Sequence, residues 1–131
     1  MKIFDAFHNP SAGIALLRWT LGILLLLHGI AKVTGGVGFI EGMLGKMGLS
    51  GFIAYGVYIG EVVAPILLLI NRFVVPAALV IAVNMVFALV LVHTGDFFQL
   101  TQTGGWKLEL QAFFLVSALV VALTAPKTGG K

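Results

Sequence analysis

No cysteine occurs anywhere in the chain. That excludes thiol–disulfide exchange, a thiolate nucleophile and a cysteine-ligated zinc or iron–sulfur site within this polypeptide. Charge is scarce as well: Asp, Glu, Lys and Arg make up 10% of the 131 residues. The formal charge of +3 comes from scattered cations with no basic run, so it does not point to nucleic acid. What fills the space is hydrocarbon. Hydrophobic residues make up 60% of the chain, and the mean hydropathy is +1.09. A soluble domain of this size cannot hide so much apolar surface, so the chain reads as an integral membrane protein. Without cysteine, any redox role needs a bound cofactor, a diffusible carrier or a partner subunit.

Each bilayer crossing takes roughly 20 apolar residues, which gives room for about four. The expected spans are residues 12–33, 52–70, 73–93 and 106–125, forming one transmembrane domain over 1–131. Asn9, Pro10 and Ser11 supply a helix start for the first, and Pro76 is tolerated in the first turn of the third. The N-terminal stretch MKIFDAFHNPS is broken by Asp5, His8 and Pro10, so the first span reads as an uncleaved insertion signal. Only Asn71 and Arg72 separate the second and third spans, which forces an antiparallel hairpin. Short links throughout predict an all-α, up-down-up-down four-helix bundle. The first link, residues 34–51, holds seven glycines. Its Phe39, Ile40, Met43, Leu44 and Met47 nonetheless recur at helical spacing, predicting a short amphipathic segment in the interface. Lys2, Arg72, Lys127 and Lys131 share one face of this arrangement, against Lys32, Lys46 and Lys107 on the other. The excess favours both termini in the cytoplasm, in an inner (plasma) membrane.

Charged groups at membrane depth are costly, so each needs an account. At 100° per residue, Arg18, His28 and Lys32 fall within roughly 80° of one another on the first helix. Gly22 and Gly29 lie on the same side, so this polar, small-residue face points into the bundle. Glu61 sits mid-span in the second helix. Gly56 and Gly60 allow a close neighbour there, and Pro65 lacks the N–H that would bond the Glu61 carbonyl. The expected spans place Arg18 and Glu61 at depths differing by about 4 Å, which makes them expected ion-pair partners. His28, Lys32, His93, Lys107 and Glu109 gather at the opposite end, where His28, Lys32, His93 and Glu109 are expected to line one cavity. Lys107 beside Trp106 reads as an interface anchor. Asn84, on the far side of the third helix from His93, is expected to make a separate, structural contact.

Four segments carry a resemblance: LLRWTLGILLLLHGIAK in the first helix, GEVVAPILLLINR in the second, AL-x3-H ending at His93, and GGWKLEL opening the fourth. Taken in this order, they resemble the DoxX family of small four-span membrane proteins. The resemblance carries the family's polar positions over to Arg18, His28, Lys32, Glu61, His93 and Glu109. It also implies a link to membrane sulfur chemistry, in which related proteins serve as subunits of a thiosulfate:quinone oxidoreductase. The tail after the fourth helix, APKTGGK, lacks the Ser and Asp typical of family members at that point.

The expected function is therefore a subunit or accessory of a membrane oxidoreductase, binding a quinone or small anion at one end of the bundle. In it, His28, His93 and Glu109 would move protons, and Lys32, Arg18 and Glu61 would hold the ligand. Histidine suits proton transfer because free imidazole titrates near neutrality. No metal or flavin motif is present. The expected partners are the lipid bilayer, an oxidoreductase subunit and further copies of the chain. Two other readings compete: a non-catalytic assembly protein, and a small carrier or proton pathway.

Overall fold

In the computed structural model, residues 2–92 and 94–127 are described. Every regular element among them is helical, and the one β-type contact is an isolated bridge between Leu100 and Trp106. Helix α1 spans Pro10–Gly35. It begins where Asn9 accepts the Ala12 N–H at 3.1 Å on its side-chain oxygen, with Pro10 in the first turn. After Gly36, whose φ of 81° breaks the helix, α2 spans Gly38–Lys46. A further positive-φ glycine, Gly48, turns the chain into α3, Gly51–Leu69. Helix α4 covers Val74–Leu91, and α5 covers Glu109–Thr124.

By length and composition α1, α3 and α4 can each cross a membrane, whereas α5 is apolar but has 16 residues, about 24 Å of helix. It begins three residues later than the sequence pattern predicts. Residues 99–107 instead close a tight turn, with Thr101 N–H on the Gly105 carbonyl at 2.7 Å and Lys107 N–H on the Gln99 carbonyl at 3.0 Å. Gly104, at φ 97°, permits that turn. It takes up Trp106, whose indole N–H donates to the Phe97 carbonyl at 2.8 Å.

Two helix pairs have a register that can be read from their contacts. Gly22 of α1 faces Pro65 and Leu69 of α3, and Gly29 faces Glu61, so α1 and α3 run antiparallel. Gly60 of α3 meets Asn84 of α4, while Leu67 and Ala77 line one crevice, so α3 and α4 are antiparallel too. The link between them is short enough to require left-handed backbone at Asn71 and Phe73, with φ of 59° and 50°. Helix α5 packs against α4 and α1. The common core joins Leu21 and Leu25, Leu68, Ile81 and Met85, Phe114 and Val121.

Large apolar side chains are exposed along every long helix, including Ile23, Leu27, Val63, Val83, Val86, Phe113 and Leu123. In water such a surface drives association; in a bilayer it is the contact with lipid. The protein is membrane-embedded and meets lipid on these faces.

Candidate functional site

Glu61 organises the polar interior. Its residue exposure is 5%, and both carboxylate oxygens are engaged. Oε1 accepts from Lys32 Nζ at 2.6 Å, and Oε2 accepts from Asn84 Nδ2 at 2.9 Å. One carboxylate thus ties α1, α3 and α4 together. Tyr58, one turn earlier on α3, donates its hydroxyl to the Lys32 carbonyl at 3.2 Å.

The local backbone brings Glu61 to this position. Residues Ile59–Val63 form a π-helical turn, in which the Ala64 N–H reaches back to Ile59 O. Pro65 follows directly and offers no N–H to the Glu61 carbonyl. Extra turns of this kind swell a helix locally and recur at functional sites. The Glu61 carbonyl projects onto Gly29, where a Cβ on residue 29 would overlap it. On the opposite side of the turn, a Cβ on Gly60 would lie 2.6 Å from Asn84 Cβ. Two glycines therefore set the spacing at which Lys32, Glu61 and Asn84 meet. Gly56, the other member of the expected small-residue pair, faces open space.

Beside the ion pair lies a cavity of about 580 Å³. His28, Lys32, Glu61, Asn84 and Gln111 contribute polar groups to its lining. The rest is apolar: Leu25 and Phe114, the start of α3, one side of α4, and Phe39, Ile40, Met43 and Leu44 of α2. Helix α2 is held there by Val37, Ile40 and Leu44, which pack against Ala54, Tyr58 and Leu91. The His28 ring meets Phe114 edge-on, with centroids 5.8 Å apart. The arrangement offers hydrogen-bond donors and acceptors at one part of a hydrophobic chamber, which orients an amphiphilic ligand.

The expected site residues divide accordingly. His28, Lys32 and Glu61 come together at the cavity. The expected Arg18–Glu61 pair does not form. Arg18 instead donates from Nη1 to the Leu68 carbonyl at the C-terminal end of α3, which also accepts the Asn71 N–H; a cation at this end suits the helix dipole. The register explains the correction. Glu61 lies level with Gly29, which is eleven residues, or about 16 Å of helix, from Arg18. Glu109 is exposed in the first turn of α5, its carboxylate beside Gly105, and it is not part of the cavity wall. The shared cavity expected for it with His28 and Lys32 is therefore corrected. His93 lies outside the described residues. Asn84, expected to be a separate contact, is Glu61's second partner. Gln111, absent from the expected site, lines the cavity; it follows Glu109 by two residues and so lies on a different side of α5. A polar residue inside an apolar helical run was the available signal for both. Lys107, read as an anchor, sits 3.6 Å from Asp96 outside the cavity.

Helices of this length with lipid-facing side chains, a buried ion pair between them and an adjoining chamber define a small polytopic membrane protein with an internal polar site. Residues 13–94 match the family model described as DoxX, and the chain belongs to the DoxX family. No curated protein and no solved structure matches it. The matched segment includes Arg18, His28, Lys32, Glu61 and Asn84; Glu109 and Gln111 lie beyond it.

Proposed function

We propose that the protein is a subunit or accessory of a membrane oxidoreductase system, which takes up a quinone or small anion beside Lys32 and Glu61. The observation that carries this reading is the chamber of about 580 Å³, apolar over most of its wall and polar at Lys32, Glu61, Asn84, His28 and Gln111. Quinone reduction takes up two electrons and two protons. The apolar wall suits the ring, Lys32 and Asn84 suit its oxygens, and the imidazole of His28 suits proton delivery. With no cysteine in the chain, electrons come from a partner subunit or its cofactor. Glu109, off the cavity wall, keeps only the role of passing protons at the surface. In the test, the protein is purified in mild detergent and its extractable lipids are analysed. Quinone is expected at near-stoichiometric amounts and is lost in His28→Ala, while the elution profile and melting temperature stay unchanged. Retention of quinone by His28→Ala, or its absence from the native protein, would sink this reading.

A second reading is supported by the triad itself. Lys32, Glu61 and Asn84 join three helices, which suffices for a non-catalytic assembly protein, and a carrier or proton pathway would also hold charges at this depth. For the assembly protein, a stoichiometric protein partner would co-purify and quinone would not.

In the membrane we propose an up-down-up-down bundle of four spans forming one unit, with α5 as the fourth and α2 lying along the outer interface. Further copies of the chain are allowed. The cation count favours both termini in the cytoplasm, in an inner membrane. Gly38→Cys and Thr103→Cys are expected to react with an impermeant thiol reagent on intact cells, and Thr128→Cys only after lysis. The reverse pattern would invert the topology.

A further inference from the structure

We propose that the crevice between α3 and α4 binds the hydrocarbon tail of an amphiphile whose uncharged polar head reaches the Lys32–Glu61–Asn84 cluster from the bilayer side. This deepens the ligand-binding reading of the same cavity and rests on it.

Charge and shape carry the inference. Among the described residues, Lys32 and Glu61 are the only Asp, Glu, Lys or Arg in the cavity lining, and they lie 2.6 Å apart. Each neutralises the other. An anionic head would have to compete with Glu61 for Lys32, and a cationic head with Lys32 for Glu61. A head bearing carbonyl or hydroxyl groups breaks no ion pair. It can accept from the ammonium, which has three N–H donors of which the ion pair uses one, and it can donate to the Asn84 carbonyl.

The route for the rest of the molecule adjoins the chamber. A second, narrower space of about 110 Å³ shares Ile59 and Val80 with it. It runs on between Val63 and Leu67 of α3 and Pro76 and Ala77 of α4, and its lining is apolar throughout. From Ile59 to Leu67 is about 12 Å of helix. Ile59, Val63 and Val80 are surface-exposed, so the crevice opens onto the lipid. Such a slot accepts a flexible chain and has no partner for a second polar group.

The test uses the full-length protein in phosphatidylcholine vesicles, with two photoreactive probes that share one diazirine-bearing alkyl tail. One has a glycerol ester head, the other a phosphate head. The uncharged probe is expected to label Val63, Leu67 or Ala77 saturably. The alkyl phosphate should do so about tenfold more weakly, the factor carried by one hydrogen bond to a charged group. Val80→Trp, an exposed position at the junction of the two spaces, is expected to remove the saturable labelling. Glu61→Gln frees Lys32 and is expected to invert the head preference, read as a ratio within one monodisperse preparation so that yield does not enter. Equal labelling by both heads, labelling that never saturates, or indifference to Val80→Trp would overturn the proposal. A decyl-substituted benzoquinone separates this idea from the quinone reading. If it fails to displace a saturable uncharged probe, the crevice stands and the quinone reading falls. If quinone co-purifies without saturable crevice labelling, the quinone reading stands and the crevice falls.

Discussion

Gly29→Ala and Gly13→Ala, both in α1, are expected to change stability in opposite directions. At Gly13 a Cβ meets nothing within 4 Å, so alanine only restricts the unfolded chain and favours the helix. It is expected to stabilise the protein by about 0.5–1 kcal/mol. At Gly29 the same methyl lands on the carbonyl of Glu61, with the Glu61 carbonyl carbon 2.6 Å away and Val62 Cγ2 at 2.8 Å. The obstacle is backbone, so no side chain can rotate out of the way and α1 must move off α3. Overpacking of this kind costs about 1–3 kcal/mol, and the helix preference of alanine offsets only part of it. The displacement also lengthens the Lys32–Glu61 contact. Melting temperatures in one detergent decide the matter: Gly13→Ala should melt above the wild type and Gly29→Ala well below it. A Gly29→Ala variant that melts at or above the wild type would show that the two backbones are not in contact there.

The same glycine explains how far the sequence could be read. Apolar runs of about 20 residues and the helix-start signals at Asn9 and Pro10 place α1, α3 and α4 to within two residues, because these features are local. The DoxX resemblance is likewise carried by local strings. The site depends on register between helices, which span boundaries do not fix. Depth counted from the span ends pairs Arg18 with Glu61, whereas the offset is set by Gly29 against Glu61 and Gly22 against Pro65. Both glycines read as packing positions on the polar face, but nothing local tells which residue of α3 each one meets. Pro65 removes the N–H that an α-helix would offer the Glu61 carbonyl; that this carbonyl faces Gly29 needed the fold. Glu109 departs from its expected place for a different reason. The turn around Gly104 consumes residues 106–108, so the acid opens α5 at the surface.

Breaking the ion pair from one side is expected to cost more than removing it altogether. In Glu61→Leu the Lys32 ammonium loses its partner at 2.6 Å, and Asn84 loses the acceptor at 2.9 Å. Removing one member of a buried pair typically costs about 3–5 kcal/mol. The lower end applies here, since the Lys32 side chain keeps 28% of its exposure and some access to polar surroundings. Lys32→Met alone is the more damaging variant for the site, because it strands a carboxylate whose side chain is 7% exposed. Asn84 then remains its hydrogen-bond partner. The double variant Lys32→Met with Glu61→Leu leaves no uncompensated charge and fills the gap with hydrocarbon. It is therefore expected to be more stable than either single variant, with the two effects strongly non-additive. Glu61→Gln tests the other half of the contact. Its amide oxygen can still accept from one partner while its charge is gone, so its loss is expected to fall between that of the double variant and that of Glu61→Leu. A complete double-mutant cycle, read by thermal unfolding in detergent, measures the coupling. Additive effects would mean that Lys32 and Glu61 do not act as a pair in the membrane protein. Strong coupling would mean that the pair exists. If the stable double variant also loses its ligand, the charges are kept in this interior for binding rather than for folding.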